Sequence, residues 1–497
     1  MAIEIETTYG KIAGTQADAH QRFLGVPFAR PPVGARRFLA PEGPEPWSET
    51  RPATEFGLSA PQNPSPLPGM EPGPQGEDCL FLNVYTPAAD SAARPVMVWI
   101  HGGGFTGGSG SQALYEGGPL CTRGDVVLVS VNYRLGALGY LTVPGADPNL
   151  GQLDQIAALR WVRDNIERFG GDPGNVTIFG ESAGGMAVAT LLGMPGAAGL
   201  FHRAIPQSGA AHHVHSAESA ARVAERFCGE LGLPGADAEK LRQLPVERIL
   251  EAQAKALVAL QREPGLAFAP VVDPNSLPQH PLEAVRAGAS GEIPLLVGTN
   301  RDESKLFNVG LAGGEVSAEQ LEKRVRALLR ARRAEDRAPA LIDAYRRARE
   351  GHASTEAAEL LDAIDSDHTF RIPAIRLAEA HAAHPAGTYG YLFTWESPAR
   401  RGALGSCHAL ELPFVFGSFN APTMDRFAGT GPEAERLSQR IMDAWIAFAR
   451  SGDPAHPGLP EWPTYDAQTR ATMLFDRSCE RCDAPLDAER AAWDGIL

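Results

Sequence analysis

Apolar and polar positions along the chain follow two alternating rhythms. Short, mostly apolar segments occur at residues 95–100, 126–131, 176–179, 203–206, 293–297 and 389–394. Each has the length of a strand, and each is too continuous for an element with one solvated face. Between or after them lie segments of helical spacing, such as 155–168 and 437–450. Apolar strands separated by helices predict an α/β fold with a mostly parallel sheet buried on both faces. From about residue 317 to 383 the pattern is helical and charged, without a strand signal. This predicts a helical layer inserted beside the sheet, within one domain spanning 1–497. Prolines at 61, 64, 66, 68, 72 and 74 exclude regular structure over 61–76. Residues Gly25 to Gly34 read as a Pro-rich surface turn feeding an N-terminal edge.

One junction of the two rhythms carries chemistry. Val176 to Phe179 is a β-branched and apolar run, and from Met186 to Leu192 the composition turns to Ala, Leu and Met. Between them stands Gly180-x-Ser182-x-Gly184, the only Gly-x-Ser-x-Gly in the chain. A strand that turns into a helix over one residue strains that residue and lifts its side chain clear of the sheet. Glycines two positions to either side remove Cβ atoms that would collide. Ser182 is thereby predicted to be an exposed nucleophile above the first amides of a helix.

The bulk numbers narrow the setting. Of 497 residues, 43% are hydrophobic and 21% charged, as in ordinary soluble domains. A net charge of -15 argues against nucleic acid or an anionic membrane as partner. No apolar run approaches the roughly 20 residues that span a bilayer. The start, Met1 to Glu6, lacks a basic and an apolar region, so no signal peptide is read. Six cysteines in so long a chain fit a reduced cytoplasm better than a disulfide framework. A mature secreted form is the alternative.

A nucleophile needs an oxyanion site, a base and an acid. His101-Gly102-Gly103-Gly104-Phe105 follows a predicted strand, and three bare glycines can turn amides toward one point. Gly103 and Gly104, with Ala183 just after the nucleophile, are predicted to form a three-donor oxyanion hole, each donor worth about 10²–10³ in rate. After the strand at 293–297 come Asp302 and Glu303, carboxylates on the same sheet edge as Ser182. His408 stands on a loop before the apolar run Leu412 to Phe416. The order serine, acid, histidine is that of α/β-hydrolases. His408 would take the proton of Ser182, and the acid would hold its tautomer.

With these motifs in order, the chain resembles type-B carboxylesterases, the carboxylesterase/lipase family that includes the cholinesterases, and in particular bacterial members of the p-nitrobenzyl esterase kind. The resemblance runs from about residue 9 to 475. It includes Phe28-Ala29-Arg30-Pro31-Pro32-Val33-Gly34, Glu77-Asp78-Cys79-Leu80, Asn132-Tyr133-Arg134, Gly151-Gln152-Leu153-Asp154, Gln207-Ser208-Gly209 and Gly452-Asp453-Pro454. It implies an α/β-hydrolase fold and a serine carboxylesterase that needs no metal or cofactor and acts on a small-molecule ester; the oligomeric state is not legible in the sequence, a monomer being the first expectation. It places the acid on Glu303, not Asp302, and the base on His408. It also implies a hydrogen bond from Ser208 near the acid–base pair and structural ion pairs Arg37–Glu77 and Arg134–Asp154. Glu181 would sit beside the site and stabilise the histidinium, or serve structure alone. Phe105, Leu306 and Phe307 would line or back the pocket.

Departures from the family pattern restrict the substrate. No cysteine precedes Cys79, so the bridge found in secreted members is missing. The 61–76 loop holds no aromatic, and of two pocket aromatics only Phe307 is present, beside Leu306. Without an aromatic cage a quaternary ammonium is poorly held, so a broad esterase is expected in place of a cholinesterase. A lipase or amidase with the same three residues, or a non-catalytic binding relative, are the alternatives. His212-His213-Val214-His215 resembles a metal cluster but lacks a neighbouring carboxylate or cysteine, and is expected near the pocket mouth. Cys479 and Cys482 are read as a surface thiol pair, and Cys407 as packing beside His408.

Overall fold

A computed structural model describes residues 2–65, 71–261, 265–308 and 316–497. Thirteen strands among these residues form one sheet. In chain order they are β1 Ala2–Thr7, β2 Gly10–Gln16, β3 Gln21–Pro27, β4 Arg51–Pro52, β5 Phe81–Thr86, β6 Arg94–Ile100 and β7 Val127–Val131, followed by β8 Gly171–Glu181, β9 Arg203–Gln207, β10 Leu295–Asn300, β11 Thr388–Phe393, β12 Ala471–Phe475 and β13 Glu480–Asp483. The spatial order is β1-β2-β3-β5-β7-β6-β8-β9-β10-β11-β12-β13, with β4 paired to β2.

From β7 to β12 every pairing is parallel. β6 and β7 are buried along their whole length, because helices cover both faces and each side chain meets a core whichever way it points. The helix Leu150–Asn165 continues into the turn Ile166–Phe169, and the helix Pro432–Ser451 starts earlier than its apolar pattern, where Pro432 supplies a pre-set first turn. β1, β2, β3 and β5 are antiparallel and escaped the sequence reading: β1 and β2 alternate covered and exposed residues, and the apolar run of β5, though buried, is broken by Asn83. The surface turn expected at 25–34 is corrected by the same elements. β3 pairs with β5, and Val26, Phe28 and Ala29 are buried.

The described part of the Pro-rich segment has no helix or strand apart from an isolated bridge, Ser59 to Gln75, and Pro66 and Pro68 lie outside the described residues. Between 317 and 383 the described elements are helices: Ala318–Leu329, Ala338–Arg349, Ala357–Ser366 and Ile372–His381, with a π-turn at Asp367–Arg371. They pack around their own core, to which Val325, Tyr345, Ile364 and Trp493 belong. Two ion pairs brace the scaffold as expected. Arg37 grips Glu77 through both carboxylate oxygens at 2.5 and 2.6 Å, and Arg134 grips Asp154 at 2.6 and 2.8 Å. Cys479 is buried, which corrects the reading of a surface thiol pair, and all six cysteines are free.

Register positions the site. Ile100 lies opposite Gly180, Glu181 opposite Gln207, and Gln207 opposite Gly298. The carboxyl ends of β6, β8, β9 and β10 therefore open on one edge, where open α/β sheets hold their ligands.

Candidate active site

At the end of β8 the chain turns through Ser182, which has φ 56° and ψ -125° and precedes the helix Ala183–Leu191. A non-glycine residue in this region is strained by about 1–3 kcal/mol. The turn is held by Ser182 N–H donating to the Gln207 carbonyl at 3.0 Å and Met186 N–H donating to the Ser182 carbonyl at 2.8 Å. A Cβ on Gly184 would lie 2.0 Å from the Ile100 carbonyl oxygen, and one on Gly180 would lie 2.6 Å from the same atom. No other residue type fits either position.

The glycine loop after β6 crosses this turn. A Cβ on Gly102 would meet Ser182 Cβ at 3.1 Å, so the loop backbone lies directly against the serine. Gly103 and Gly104 have φ of 115° and 61°. The Gly103 carbonyl accepts from Thr106 and Gly107, which tightens the loop, while among the described residues no turn or loop bond uses the N–H of Gly103, Gly104 or Ala183. Beneath it His101 is buried and stacks on Tyr133 with ring centres 4.4 Å apart. Burial lowers the pKa of its imidazole to about 4, so it stays neutral. Phe105 is wholly buried against Tyr140 and backs the loop without reaching an open surface.

Glu303 and His408 meet from β10 and the loop before the helix Leu412–Phe416. His408 Nδ1 lies 2.6 Å from Glu303 Oε2, and Asn300 N–H donates to Glu303 Oε1 at 2.8 Å, so both carboxylate oxygens are held. Asp302 turns the other way, to Arg301 at 2.8 Å and the Ser406 N–H at 2.9 Å. The other imidazole nitrogen, Nε2, lies 3.0 Å from Glu181 Oε1, without the alignment of a hydrogen bond. Among the described residues Ser182 Oγ is not hydrogen-bonded to it, an open arrangement common where no substrate is bound.

A third carboxylate completes the cluster. Glu411 accepts from Asn300 Nδ2 at 2.7 Å and from Gln207 Nε2 at 3.1 Å, and Trp445 Nε1 donates to Gln207 Oε1 at 3.0 Å. Burial pushes the Glu181 pKa up to about 8, with Glu411 and Glu303 adding and His408 opposing. Burial likewise raises Glu411, with the Glu303 charge adding. For His408 burial acts downward, and the carboxylates Glu181 and Glu303 overcome it, raising the pKa to about 9. The sequence reading missed Glu411, although it stands three residues after His408.

Two rings wall the imidazole: Phe370 at 4.7 Å and Phe307 at 5.1 Å between centres. Phe307 is 51% exposed and Leu306 partly buried. Phe370 was also missed. It lies in the π-turn, a helix irregularity frequent at functional sites but invisible in apolar spacing. Ser208 departs from expectation. Its backbone sits at φ 44° with its N–H on the Gly298 carbonyl, and its buried hydroxyl finds no partner among the described residues, so the hydrogen bond implied near the acid–base pair is not made. Cys407 is buried and its thiol pKa is pushed far up by burial, which removes it as a reactive thiolate. Among the described residues no group of three or more His, Cys, Asp or Glu is arranged to hold a metal ion.

The model of the carboxylesterase family matches residues 2–493. Over 480 residues the chain is 41% identical to the para-nitrobenzyl esterase of Bacillus subtilis (strain 168), covering 95% of this chain and 94% of that one. It is 36% identical over 479 residues to the phenmedipham hydrolase of Pseudarthrobacter oxydans, covering 94% of each. Among solved structures, a thermophilic PNB esterase matches with a TM-score of 0.88 at 38% identity, covering 98% of this chain and 99% of that one. A carboxylesterase of Geobacillus stearothermophilus matches at 0.87 and 40% identity, covering 99% of each. The fold is that of the α/β-hydrolases.

Proposed function

We propose that this chain, a carboxylic ester hydrolase belonging to the carboxylesterase family, cleaves its substrates through an acyl-enzyme formed on Ser182. Ser182 Oγ attacks the ester carbonyl while His408 Nε2 takes its proton. Glu303, bonded to Nδ1, holds the tautomer with Nε2 free and stabilises the imidazolium. The carbonyl oxygen becomes an oxyanion and accepts from the N–H groups of Gly103, Gly104 and Ala183. The imidazolium returns the proton to the leaving alkoxide, and the alcohol departs. Water then repeats the sequence on the acyl group, releasing the acid and restoring Ser182. Glu181 touches the imidazole edge at 3.0 Å and stabilises its charged form before the proton moves on.

The observation that carries this reading is the strained turn at Ser182. The chain accepts a serine at positive φ between Gly180 and Gly184, directly against the glycine loop after β6, which supports its role as the nucleophile. The test is hydrolysis of p-nitrophenyl esters from acetate to decanoate by wild type and Ser182→Ala, with a fluorophosphonate mass shift on both. Loss of the adduct and of about 10⁶ in kcat in the variant is expected. Undiminished turnover would overturn the mechanism.

A further inference from the structure

Three histidines beside the site are not used by this mechanism. His212 and His213 lie on the loop after β9, with ring centres 3.9 Å apart. His368 lies in the π-turn, 5.8 Å from Trp493. His215 differs from them. Both its nitrogens are taken, by Ser219 Oγ at 2.9 Å and the Ala267 carbonyl at 3.2 Å, so it serves structure. In contrast His212 Nδ1 and Nε2, His213 Nε2 and His368 Nδ1 have no hydrogen-bond partner among the described residues. Covered polar atoms without partners cost about 1–3 kcal/mol each, and such a concentration asks what satisfies them.

Their position adjoins the reacting centre on two sides. The loop that carries His212 begins at Gly209, where a Cβ would lie 2.4 Å from the Ser182 carbonyl oxygen. The π-turn that carries His368 also carries Phe370, whose ring lies on His408. His213 bonds to the backbone of Thr369 between these two residues, tying the walls together. The charged groups acting on the cluster are all basic: the three rings themselves, His215, His280 and Arg332. Arg332 is exposed and makes no ion pair among the described residues. In a chain of net charge -15, a wall that brings together imidazoles and a guanidinium, with the neighbouring Asp367 held by Arg371, is a local reversal of sign. The rings of His212 and His368 keep part of their surface exposed, and a half-turn about χ2, which breaks no hydrogen bond of His212, exchanges carbon and nitrogen edges toward an incoming group.

We propose that His212 and His368, with His213 tying their walls together and Arg332 nearby, form a subsite for a carboxylate carried by the ester substrate, so that esters bearing a carboxylate are preferred over neutral esters of equal size. This deepens the hydrolytic reading above and rests on it. Neutral His212 and His368 each donate their one N–H to the carboxylate, while His213 spends its own on the Thr369 backbone, and Arg332 supplies the charge that draws the carboxylate in.

The test pairs mono-p-nitrophenyl glutarate with p-nitrophenyl hexanoate, which differ by an acyl-side carboxylate, and 4-acetoxybenzoate with its methyl ester, which differ on the alcohol side. In one pair the anionic member is expected to have the higher kcat/KM. His212→Leu/His368→Leu should lower that value about tenfold or more, the worth of a hydrogen bond to a charged group, and leave the neutral ester within about threefold. Arg332→Ala, on the surface and harmless to folding, should raise KM for the anionic ester about twofold to threefold with kcat unchanged. Preference for the neutral ester in both pairs, or an equal loss for both members, would overturn the subsite. Calorimetry of monoethyl glutarate against ethyl hexanoate on Ser182→Ala separates the two readings. Equal affinities sink the subsite whatever the mechanism, whereas turnover by that variant sinks the acyl-enzyme and leaves the affinity comparison standing.

Discussion

His408 and the pair His213 and His368 are the same side chain on neighbouring walls of one site, yet they are driven in opposite directions. Burial acts downward on all of them. At His408 it is overcome by Glu181 and Glu303, and the pKa rises to about 9. At His213 and His368 burial acts together with basic neighbours, opposed at His213 only by its bond to the Thr369 backbone, and the pKa of each falls to about 4. Burial by itself therefore does not say what a histidine can do. The sign of the charges facing it decides whether it handles protons or remains a neutral hydrogen-bonding group.

The largest way to break this contrast is to remove the charge that orients His408. In Glu303→Gln an amide N–H₂ can face Nδ1 and favour the tautomer that carries its proton on Nε2, leaving no base for Ser182. A fall of about 10⁴ in kcat is expected, with a folded protein by circular dichroism. A loss below about tenfold would show that Glu303 does not set the tautomer.

Glu181 sharpens the contrast through pH. Its negative form favours the imidazolium, so removing it lowers the His408 pKa. The base works only when deprotonated, so kcat/KM rises with pH through that ionisation. In Glu181→Gln the acid limb of the profile should move to lower pH, by about one pH unit or more. A limb that stays in place would mean that Glu181 serves packing alone.

The neutral histidines give the smallest effect, and in stability. Their native pKa lies below the 6.5 of a free imidazole, so between about pH 6.5 and 4 the unfolded chain binds more protons and stability falls as the pH is lowered. The slope is at most about 1.4 kcal/mol per pH unit for each ring, and less where water reaches it. Urea unfolding across this range should give a flatter slope for His368→Gln than for wild type. Identical slopes would place His368 in solvent.

The sequence and the structure divide the protein along physical lines. Local chemistry was legible. Ser182 follows from two glycines and a change of rhythm, and the turn it needs is built from contacts within a few residues and two neighbouring strands. The parallel strands β6 to β11 were legible because burial on both faces writes an uninterrupted apolar run. The edge strands were not, because half of each faces water and its partner lies far along the chain.

What faces His408 could be settled only in three dimensions. Glu181, Glu303 and Glu411 come from β8, the end of β10 and the loop before Leu412–Phe416, and a histidine's pKa depends on distances that spacing in sequence does not contain. Phe370 reached the site through a π-turn, and the Ser208 hydroxyl lost its expected partner through a backbone angle. His212, His213 and His368 likewise become one cluster only when the loop after β9 meets the helical layer. The sequence by itself determined the parallel sheet, the elbow and the residue types available for ester chemistry, since these depend on composition and short-range geometry. The tertiary structure decided which charges surround each of them, because electrostatics acts through space and takes no account of the order of the chain.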